Sequence, residues 1–518
     1  MCQLFVEVMR FMRLAFENTC QFFFFVFYNC RKKPVPDLPA ESAFLSESAV
    51  ALANKIKCQE LKSEDLVRAV IERIKQVNPI LNAVVDERYE EALAEARKID
   101  QDIKDQQNSQ DLLLKPFLGV PFTTKETQSV KGMAFTWGLW CRRGKRADED
   151  CAAVARLRQA GAIPVAATNL PELLIWSECC NPVYGATNNP HHTGRTSGGS
   201  SGGDAALTAS YATVISLTSD IGGSSRIPSF YCGVFGYHPT ADVVNLKGLF
   251  QRNGTESSSM LSFGFISKHV EDLAPLVKVI AGDQAARLGL DRVLDAKDIK
   301  IYYNEEFRDI WISPIRLELK QAMRKVINKF GEVQPTENKP RFYSHKFFNN
   351  ITNLWRYWMT KEPDDHFAMY NDGRGKPNMF LVGLNKHSLY LIMRLAGARF
   401  YPAVNGEWAT QLTQDCKDDL FSKLGDNGVL LLPSGPIPSP YHNFTYLAPY
   451  NHGYFSVANV LKCPAVQVPI GVNSKKIPLG IQVLAAPNQD AVCLAVAKYL
   501  EKEFGGAIMA CNIQPTSI

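Results

Sequence analysis

The sequence has no long apolar run, no excess of one charge and no metal-binding motif. In the apolar N-terminus the longest charge-free stretch, residues 18–30, has 13 residues, whereas a membrane-spanning helix needs about 20. A mean hydropathy of −0.13 excludes a protein with many membrane spans. The 57 basic and 52 acidic residues leave a net charge of only +5 in 518 residues, so nothing indicates a nucleic-acid partner.

Cysteine and histidine occur without the spacing of a disulfide framework or a metal site. The 13 cysteines form no C-x-x-C pair, and their number is odd. The adjacent Cys179 and Cys180 are predicted to be unpaired packing residues. The nine histidines include no H-E-x-x-H motif, and the neighbours His191 and His192 have no evident third ligand. We therefore predict no metal and no cofactor.

Residues 1–33 differ from the rest of the chain in being strongly aromatic and apolar. If residues 4–17 form a helix, four charged residues spaced by three or four share one arc of about 120°: Glu7, Arg10, Arg13 and Glu17. The remaining positions are mostly apolar, which predicts a helix that lies in a membrane surface. Packing on the protein's own body, packing on a second subunit, and a tilted single span are the alternatives. Residues 34–42 are predicted to be a linker.

Beyond the linker, strand-like and helical segments alternate, which predicts a single α/β domain over 43–518. Its mixed sheet is expected to carry helices on both faces. Residues 66–77 have helical spacing ended by Pro79, residues 88–99 form a second helix, and 101–110 is an exposed loop. Residues 300–425 are predicted to be mainly helical. The predicted strands are 81–85, 117–124, 163–167, 213–217, 429–432, 465–470 and 480–484, and the last helix is 489–504.

Two glycine- and serine-rich stretches carry the densest chemical signal: 198–203 (GGSSGG) and 219–228 (SDIGGSSRIP). Glycine allows close backbone approach. Two such loops can therefore bring serine hydroxyls together with backbone N–H groups. Acyl transfer needs this combination of a nucleophile and donors for the oxyanion.

Three other interpretations of these loops are weaker. A phosphate-binding loop needs G-K-[ST] after the glycines, which is absent. The motif G-x-S-x-G matches at both Ser200 and Ser201, as chance matches in a Gly/Ser run do, so a Ser-His-Asp hydrolase is disfavoured. A flexible loop without a role suits either stretch alone, but not both together with Lys125.

Lys125-Glu126 lies 75 residues before Ser200, and Ser224 follows 24 residues later. This spacing closely resembles the amidase signature family, over about residues 43–503. The segments at 161–173, 270–282 and 459–471 also match the family. Within it, the PFTTKE context and the hydrophobic N-terminus are most similar to the fatty-acid amide hydrolases of animals.

The resemblance implies a Ser-Ser-Lys triad. Ser224 matches the nucleophile, Ser200 the bridging serine after a cis peptide bond from Gly199, and Lys125 the base. The backbone N–H groups of Ile221, Gly222, Gly223 and Ser224 match the oxyanion hole, and Asp220 and Arg226 match positions that brace the loop. Thr218 departs from the family pattern, which usually has glycine there.

A lysine can act as a base only when it is uncharged. Its ordinary pKa is ~10.4 and a working base needs roughly 7 to 8. A decrease of ~3 units corresponds to ~4 kcal/mol, which burial can supply. We therefore predict that Lys125 is buried near Phe117, Val120 and Phe122, without a carboxylate at salt-bridge distance.

The sequence thus predicts a membrane-associated serine hydrolase that cleaves lipophilic amides, such as fatty-acid primary amides or N-acylethanolamines, through an acyl-enzyme. The expected partners are the amide substrate and a membrane surface contacted by residues 1–33. The sequence leaves open whether the chain forms a homodimer. Two alternatives remain. One is an amidase for small soluble amides or the glutaminase part of an amidotransferase, and the other is a non-catalytic binding protein of the same family.

Overall fold

The computed structural model describes residues 2–105, 109–254, 258–364, 366–370 and 386–515. The strands are β1 (Val84–Glu87), β2 (Pro121–Lys125), β3 (Ile163–Thr168), β4 (Cys180–Asn181), β5 (Gly185–Ala186), β6 (Asn188–Asn189), β7 (His192–Thr196), β8 (Ile215–Asp220), β9 (Phe235–His238), β10 (Ser262–Ser267), β11 (Lys300–Tyr303), β12 (Arg341–Phe342), β13 (Gly428–Pro433), β14 (Ala465–Val472) and β15 (Pro478–Ala485). Within the described residues, eleven strands form one mixed sheet in the order β1-β3-β2-β8-β10-β9-β14-β15-β13-β11-β12, and β4 pairs with β5 and β6 with β7.

Helices flank this sheet. The α-helices are α1 (Cys2–Tyr28), α2 (Ala49–Lys57), α3 (Ser63–Leu81), α4 (Tyr89–Lys104), α5 (Ser109–Leu113), α6 (Ala152–Gln159), α7 (Gly202–Thr208), α8 (Arg226–Cys232), α9 (Leu273–Ala281), α10 (Leu317–Val333), α11 (Ile351–Met359), α12 (His366–Met369), α13 (Leu389–Phe400), α14 (Gly406–Leu424), α15 (Gly453–Leu461) and α16 (Asp490–Phe504).

The central strands are buried along their whole length. Every residue of β2, β3, β8, β13 and β15 is buried, which requires cover on both faces of the sheet because successive side chains point to opposite sides. Two apolar clusters provide most of this cover. The predicted α/β fold, with a mixed sheet and helices on both faces, is confirmed.

Two local predictions were wrong. Helix α3 does not end before Pro79 but runs to Leu81, because the side chain of Asn78 accepts the N–H groups of Ala83 and Val84 and so closes the helix end beyond the proline. The predicted exposed loop at 101–110 begins as helix: α4 continues to Lys104, supported by contacts between side chains four residues apart such as Lys98–Asp102. Residues 106–108 lie outside the described part.

Helix α1 packs against the body of the protein with the side that carries its charged arc. The carboxylate of Glu17, 1% exposed, contacts Arg13 Nε at 2.8 Å and Ser313 Oγ at 2.6 Å. Arg10 pairs with Glu306. The predicted linker also lies against the body: Leu38 is fully buried and exchanges backbone hydrogen bonds with the C-terminal segment.

A helix that crosses a bilayer needs a longer apolar stretch than any helix in the described residues provides. The tilted single span considered for the N-terminus therefore finds no support.

Candidate active site

Two parallel neighbouring strands, β2 and β8, bring the predicted residues to one edge of the sheet. Lys125 is the last residue of β2, and the loop that contains Ser224 leaves the end of β8. Carboxyl ends of adjacent parallel strands lie at the same edge, where α/β proteins commonly bind ligands. The loop between β7 and α7 places Ser200 at this edge as well.

The side chain of Lys125 is completely buried. Its Nζ lies 2.7 Å from Ser200 Oγ, 3.1 Å from Ser219 Oγ and 3.4 Å from the Ser219 carbonyl oxygen. Burial lowers the pKa of Lys125 to about 7, against the opposing charges of Asp204 and Asp220. The prediction that Lys125 is buried is confirmed, and no carboxylate of the described residues forms an ion pair with its Nζ.

The two predicted serines line one cavity together with Lys125. The peptide bond from Gly199 to Ser200 is cis, as the resemblance implied. Ser224 is half-buried, and its hydroxyl makes no hydrogen bond to the described residues. The backbone N–H of Ser201 donates to the Ser224 carbonyl at 3.1 Å, which holds the two serine loops against each other.

Asp220 and Arg226 are fully buried and bind each other through two nitrogen–oxygen contacts of 3.0 and 3.1 Å. Asp220 also accepts the backbone N–H groups of Gly223 and Ser225, and Arg226 also binds Asn459 Oδ1 at 2.8 Å. Burial alone would raise the pKa of Asp220, but the charge of Arg226 together with the hydrogen bonds from Arg226 and Asn459 holds this pKa well below its usual range. The pair fixes the shape of the loop that carries Ser224.

The four backbone N–H groups predicted to form the oxyanion hole in the Ser224 loop differ in whether they already have an acceptor. Gly223 donates its N–H to Asp220 Oδ1 at 2.7 Å, so this one of the four predicted oxyanion donors is engaged within the loop. The N–H groups of Ile221, Gly222 and Ser224 donate to no other atom of the described residues. Three donors, rather than four, are thus available at this position.

The structure adds aromatic residues that sequence reasoning missed. Trp355 donates its indole N–H to the Ile221 carbonyl at 3.2 Å, and His452 packs edge-on against Trp355. In a planar trans peptide the C=O and the following N–H point in opposite directions. Holding the Ile221 carbonyl therefore turns the Gly222 N–H the other way. Nothing in the local sequence around Trp355 distinguishes it, because it reaches the loop only through the fold.

A cavity of about 800 Å³ opens above the serines, and its lining is mostly apolar. Aromatic and aliphatic side chains from segments far apart in the chain form its walls: Leu174, Ile227, Phe250, Tyr390, Met393 and Tyr450. Three or more His, Cys, Asp or Glu side chains placed to hold a metal ion occur nowhere in the part of the chain that the structure describes. The arrangement provides a buried amine, hydroxyls and backbone donors at the base of an apolar chamber.

This fold and site define an amide hydrolase of the α/β class. The Amidase family model matches residues 65–494, and the chain belongs to that family. Human fatty-acid amide hydrolase 2 is 37% identical over 491 residues, covering 90% of this chain and 91% of the human protein. Fatty-acid amide hydrolase 2-B of Danio rerio is 34% identical, covering 92% and 93% of the two chains. A solved structure titled "Fatty acid amide hydrolase" superposes with a TM-score of 0.74 at 19% identity, covering 90% and 87%.

Proposed function

We propose that this amidase is a membrane-associated serine hydrolase that cleaves lipophilic amides, namely fatty-acid primary amides or N-acylethanolamines. The observation that carries the proposal is the 2.7 Å contact between the buried Lys125 amine and Ser200 at the base of the apolar cavity. An amine whose pKa is about 7 is substantially uncharged at neutral pH. It can therefore accept a proton from a serine.

In the proposed reaction, Ser224 Oγ attacks the carbonyl carbon of the amide while its proton passes to Ser200, whose own proton passes to Lys125. The N–H groups of Ile221, Gly222 and Ser224 stabilise the oxyanion. The C–N bond then breaks, and the proton returns through Ser200 to the leaving nitrogen. Water hydrolyses the resulting ester on Ser224 with the same proton path, releasing the fatty acid.

The lining of the cavity supports an acyl chain as the substrate part that it holds. Burying a CH₂ group contributes about 0.8 kcal/mol, so a long chain gains affinity from walls such as Leu174, Phe250 and Met393. Two relatives that match most of this chain are named for fatty-acid amides. The alternative of a small soluble amide leaves this apolar volume unfilled.

Active-site labelling tests the nucleophile. We expect a fluorophosphonate to label the wild-type protein and Ser225→Ala, but not Ser224→Ala, because Ser224, unlike Ser225, lines the cavity that Lys125 and Ser200 also line. Ser225 is a matched control since it is adjacent, buried, and hydrogen bonded to Thr218 instead. Equal labelling of the Ser224→Ala protein would refute the assignment.

Substrate comparison separates the proposal from its alternatives. The wild-type enzyme is expected to hydrolyse a long-chain primary amide such as oleamide at least about 100-fold more efficiently, in kcat/KM, than glutamine. Preference for glutamine would favour the glutaminase alternative. Equal inactivity of the wild type and Ser224→Ala on every amide would favour the binding protein.

The outer surface of α1 supports membrane association. Its charged arc is occupied by the body, so its other side carries exposed apolar side chains. Ten of them on the described part of the helix are exposed: Val8, Met9, Phe11, Met12, Phe16, Phe22, Phe23, Phe25, Val26 and Phe27. Soluble proteins seldom leave so large a continuous apolar surface in water, and such surfaces mark contact sites.

Helix α1 is also connected to the rim of the cavity. Arg10 and Arg13 donate to the carbonyls of Phe307 and Ile310, and the neighbouring Trp311 packs edge-on against Tyr401 and Tyr450. Both tyrosines line the cavity. A membrane contacted by α1 would therefore lie close to the part of the protein that admits a lipophilic substrate.

Vesicle binding tests the role of α1. We expect the triple change of Phe11, Phe16 and Phe23 to Ser, which removes three rings that are 56–72% exposed, to weaken co-sedimentation with phosphatidylcholine vesicles at least tenfold. Each buried ring contributes about 1.5–3 kcal/mol, and 1.4 kcal/mol is a factor of ten.

The control is a triple change of apolar residues outside α1 that are 62–99% exposed, Leu114, Val293 and Phe342 to Ser. It should bind vesicles as the wild type does. Equal binding by both triple variants and the wild type would count against α1 as the membrane contact.

A further inference from the structure

Asp204 is a buried acidic residue that the proposed reaction does not use. It directly follows the GGSSGG stretch and lies in the first turn of α7, and its side chain is completely buried. Within the described part of the chain, neither carboxylate oxygen has a hydrogen-bond partner of ordinary geometry. A buried carboxyl group without partners is costly to the fold, so its presence calls for an explanation.

The hydroxyl groups next to Asp204 are engaged elsewhere. Thr168 and Ser216 lie beside the carboxyl group and favour its charged form. However, Ser216 Oγ bonds Thr123 Oγ1 at 2.7 Å, and Thr168 Oγ1 donates to the Thr124 carbonyl at 3.4 Å. These hydroxyls therefore leave the carboxyl group of Asp204 incompletely satisfied.

Strand register places Asp204 over the side of β2 that carries Lys125. Thr123 and Lys125 are two residues apart, so their side chains share one face. Thr123 is paired with Ser216 of β8, and Lys125 is paired with Thr168 of β3. A carboxyl group that lies beside both Ser216 and Thr168 must therefore lie beside the buried stem of Lys125.

The other acidic groups near Lys125 are compensated. Asp220 is paired with Arg226. Burial raises the pKa of the Cys179 thiol to about 12, so that the thiol is neutral. Glu126 accepts the Trp137 N–H at 2.8 Å and the Tyr184 hydroxyl at 3.2 Å. Among the residues that the structure describes, Asp204 is the carboxyl group beside Lys125 with no cation or hydrogen bond of its own.

We propose that Asp204 is a positioning residue for catalysis, whose charge determines how tightly Lys125 holds the proton that it takes from the serines. The inference rests on the proposed role of Lys125 as the base. When Lys125 accepts the proton it becomes an ammonium ion in a dry site, and a neighbouring carboxylate stabilises that ion. Ser224, Ser200 and Lys125 remain the groups that transfer the proton.

The titration behaviour of the pair is consistent with this role. Burial raises the pKa of Asp204 to about 7, and the charge of Lys125 opposes this increase. Burial lowers the pKa of Lys125 to about 7, and the charge of Asp204 opposes this decrease. Each group thus shifts the protonation of the other near neutral pH.

The test is the pH dependence of fluorophosphonate labelling of Ser224, which requires no amide substrate. In the wild type, labelling should slow as the pH falls through about 7, because Lys125 becomes protonated. Asp204→Asn removes the charge that favours the ammonium form, so Lys125 should lose its proton at lower pH. We expect the acid limb of the pH–rate profile, which is the pH range in which labelling slows on acidification, to move down by ~1 to 3 pH units. The maximal labelling rate should fall about tenfold.

The chain offers a matched control in Asp272, a buried carboxyl group beside the second buried lysine, Lys268. Asp272→Asn should leave the acid limb unchanged, and Asp204→Glu, which keeps the charge, should keep the wild-type limb. Asp204→Ser is a second neutral variant if Asp204→Asn does not fold. The proposal is overturned if a folded neutral variant, Asp204→Asn or Asp204→Ser, has the same acid limb as the wild type or an acid limb at higher pH. Loss of labelling in Ser224→Ala with no shift in Asp204→Asn would contradict this inference alone.

Discussion

Replacing Ser200 with alanine should lower kcat/KM for a long-chain amide by roughly 10³-fold or more, because members of a catalytic triad act as a unit. Ser200 Oγ is the hydroxyl nearest the buried amine of Lys125, at 2.7 Å, and Ser219 Oγ lies farther away, at 3.1 Å. Without Ser200 Oγ, the proposed proton path from Ser224 to the base is interrupted. The measurement is steady-state hydrolysis of oleamide by purified full-length protein, with the labelling rate of Ser224 as a second readout.

Ser201→Ala is the matched control for this change. Ser201 is adjacent and equally buried, but its hydroxyl bonds to none of the residues that the structure describes and does not cap α7. We expect its kcat/KM to stay within about twofold of the wild type. If Ser200→Ala and Ser201→Ala retained equal activity, Ser200 would have no part in proton transfer.

Asp220→Asn should reduce the free energy of unfolding by about 3–5 kcal/mol, because removing one partner of a buried ion pair leaves the other charge uncompensated. Here the remaining charge is Arg226, which is fully buried. The same change weakens acceptance of the Gly223 and Ser225 N–H groups, so activity should fall as well. Urea denaturation monitored by fluorescence measures the stability.

The control is Asp102→Asn, which removes an exposed ion pair with Lys98. Such pairs contribute about 0–1 kcal/mol, so its stability should remain near that of the wild type. Because the pKa of Asp220 is held below its usual range, the stabilising effect is present at neutral pH and is lost only as the pH falls below about 4. Equal stability of the two variants at pH 7 would show that the Asp220–Arg226 pair does not hold the loop.

The sequence predicted the strands whose apolar runs are continuous, and missed strands that depend on their neighbours. The predicted segments near β3, β13, β14 and β15 are rich in Val, Ile, Leu and Ala. Strand β10 has the sequence SFGFIS, in which glycine separates the apolar residues and a serine stands at each end. It is extended because it pairs with β8 on one side and β9 on the other, and these contacts are not visible in a local pattern.

The candidate site shows the same division. The spacing of Lys125, Ser200 and Ser224 identified the residues that line the base of the cavity. It could not reveal that the Gly223 N–H is engaged by Asp220, since this depends on the bend of the loop. The departure at Thr218 has a local explanation: its hydroxyl bonds Ser225 at 2.7 Å, and the opposite residue is the small Gly264.

Local patterns in the sequence determined the alternation of strands and helices, the two glycine–serine loops, and the charged arc of the N-terminal helix. These follow from residue spacing along the chain. Only the tertiary structure decided that the charged arc faces the body of the protein, that Trp355 reaches the Ser224 loop, and that the carboxyl group of Asp204 lies beside Lys125. Burial and charge interactions depend on distances in space, and the order of strands in the sheet sets those distances.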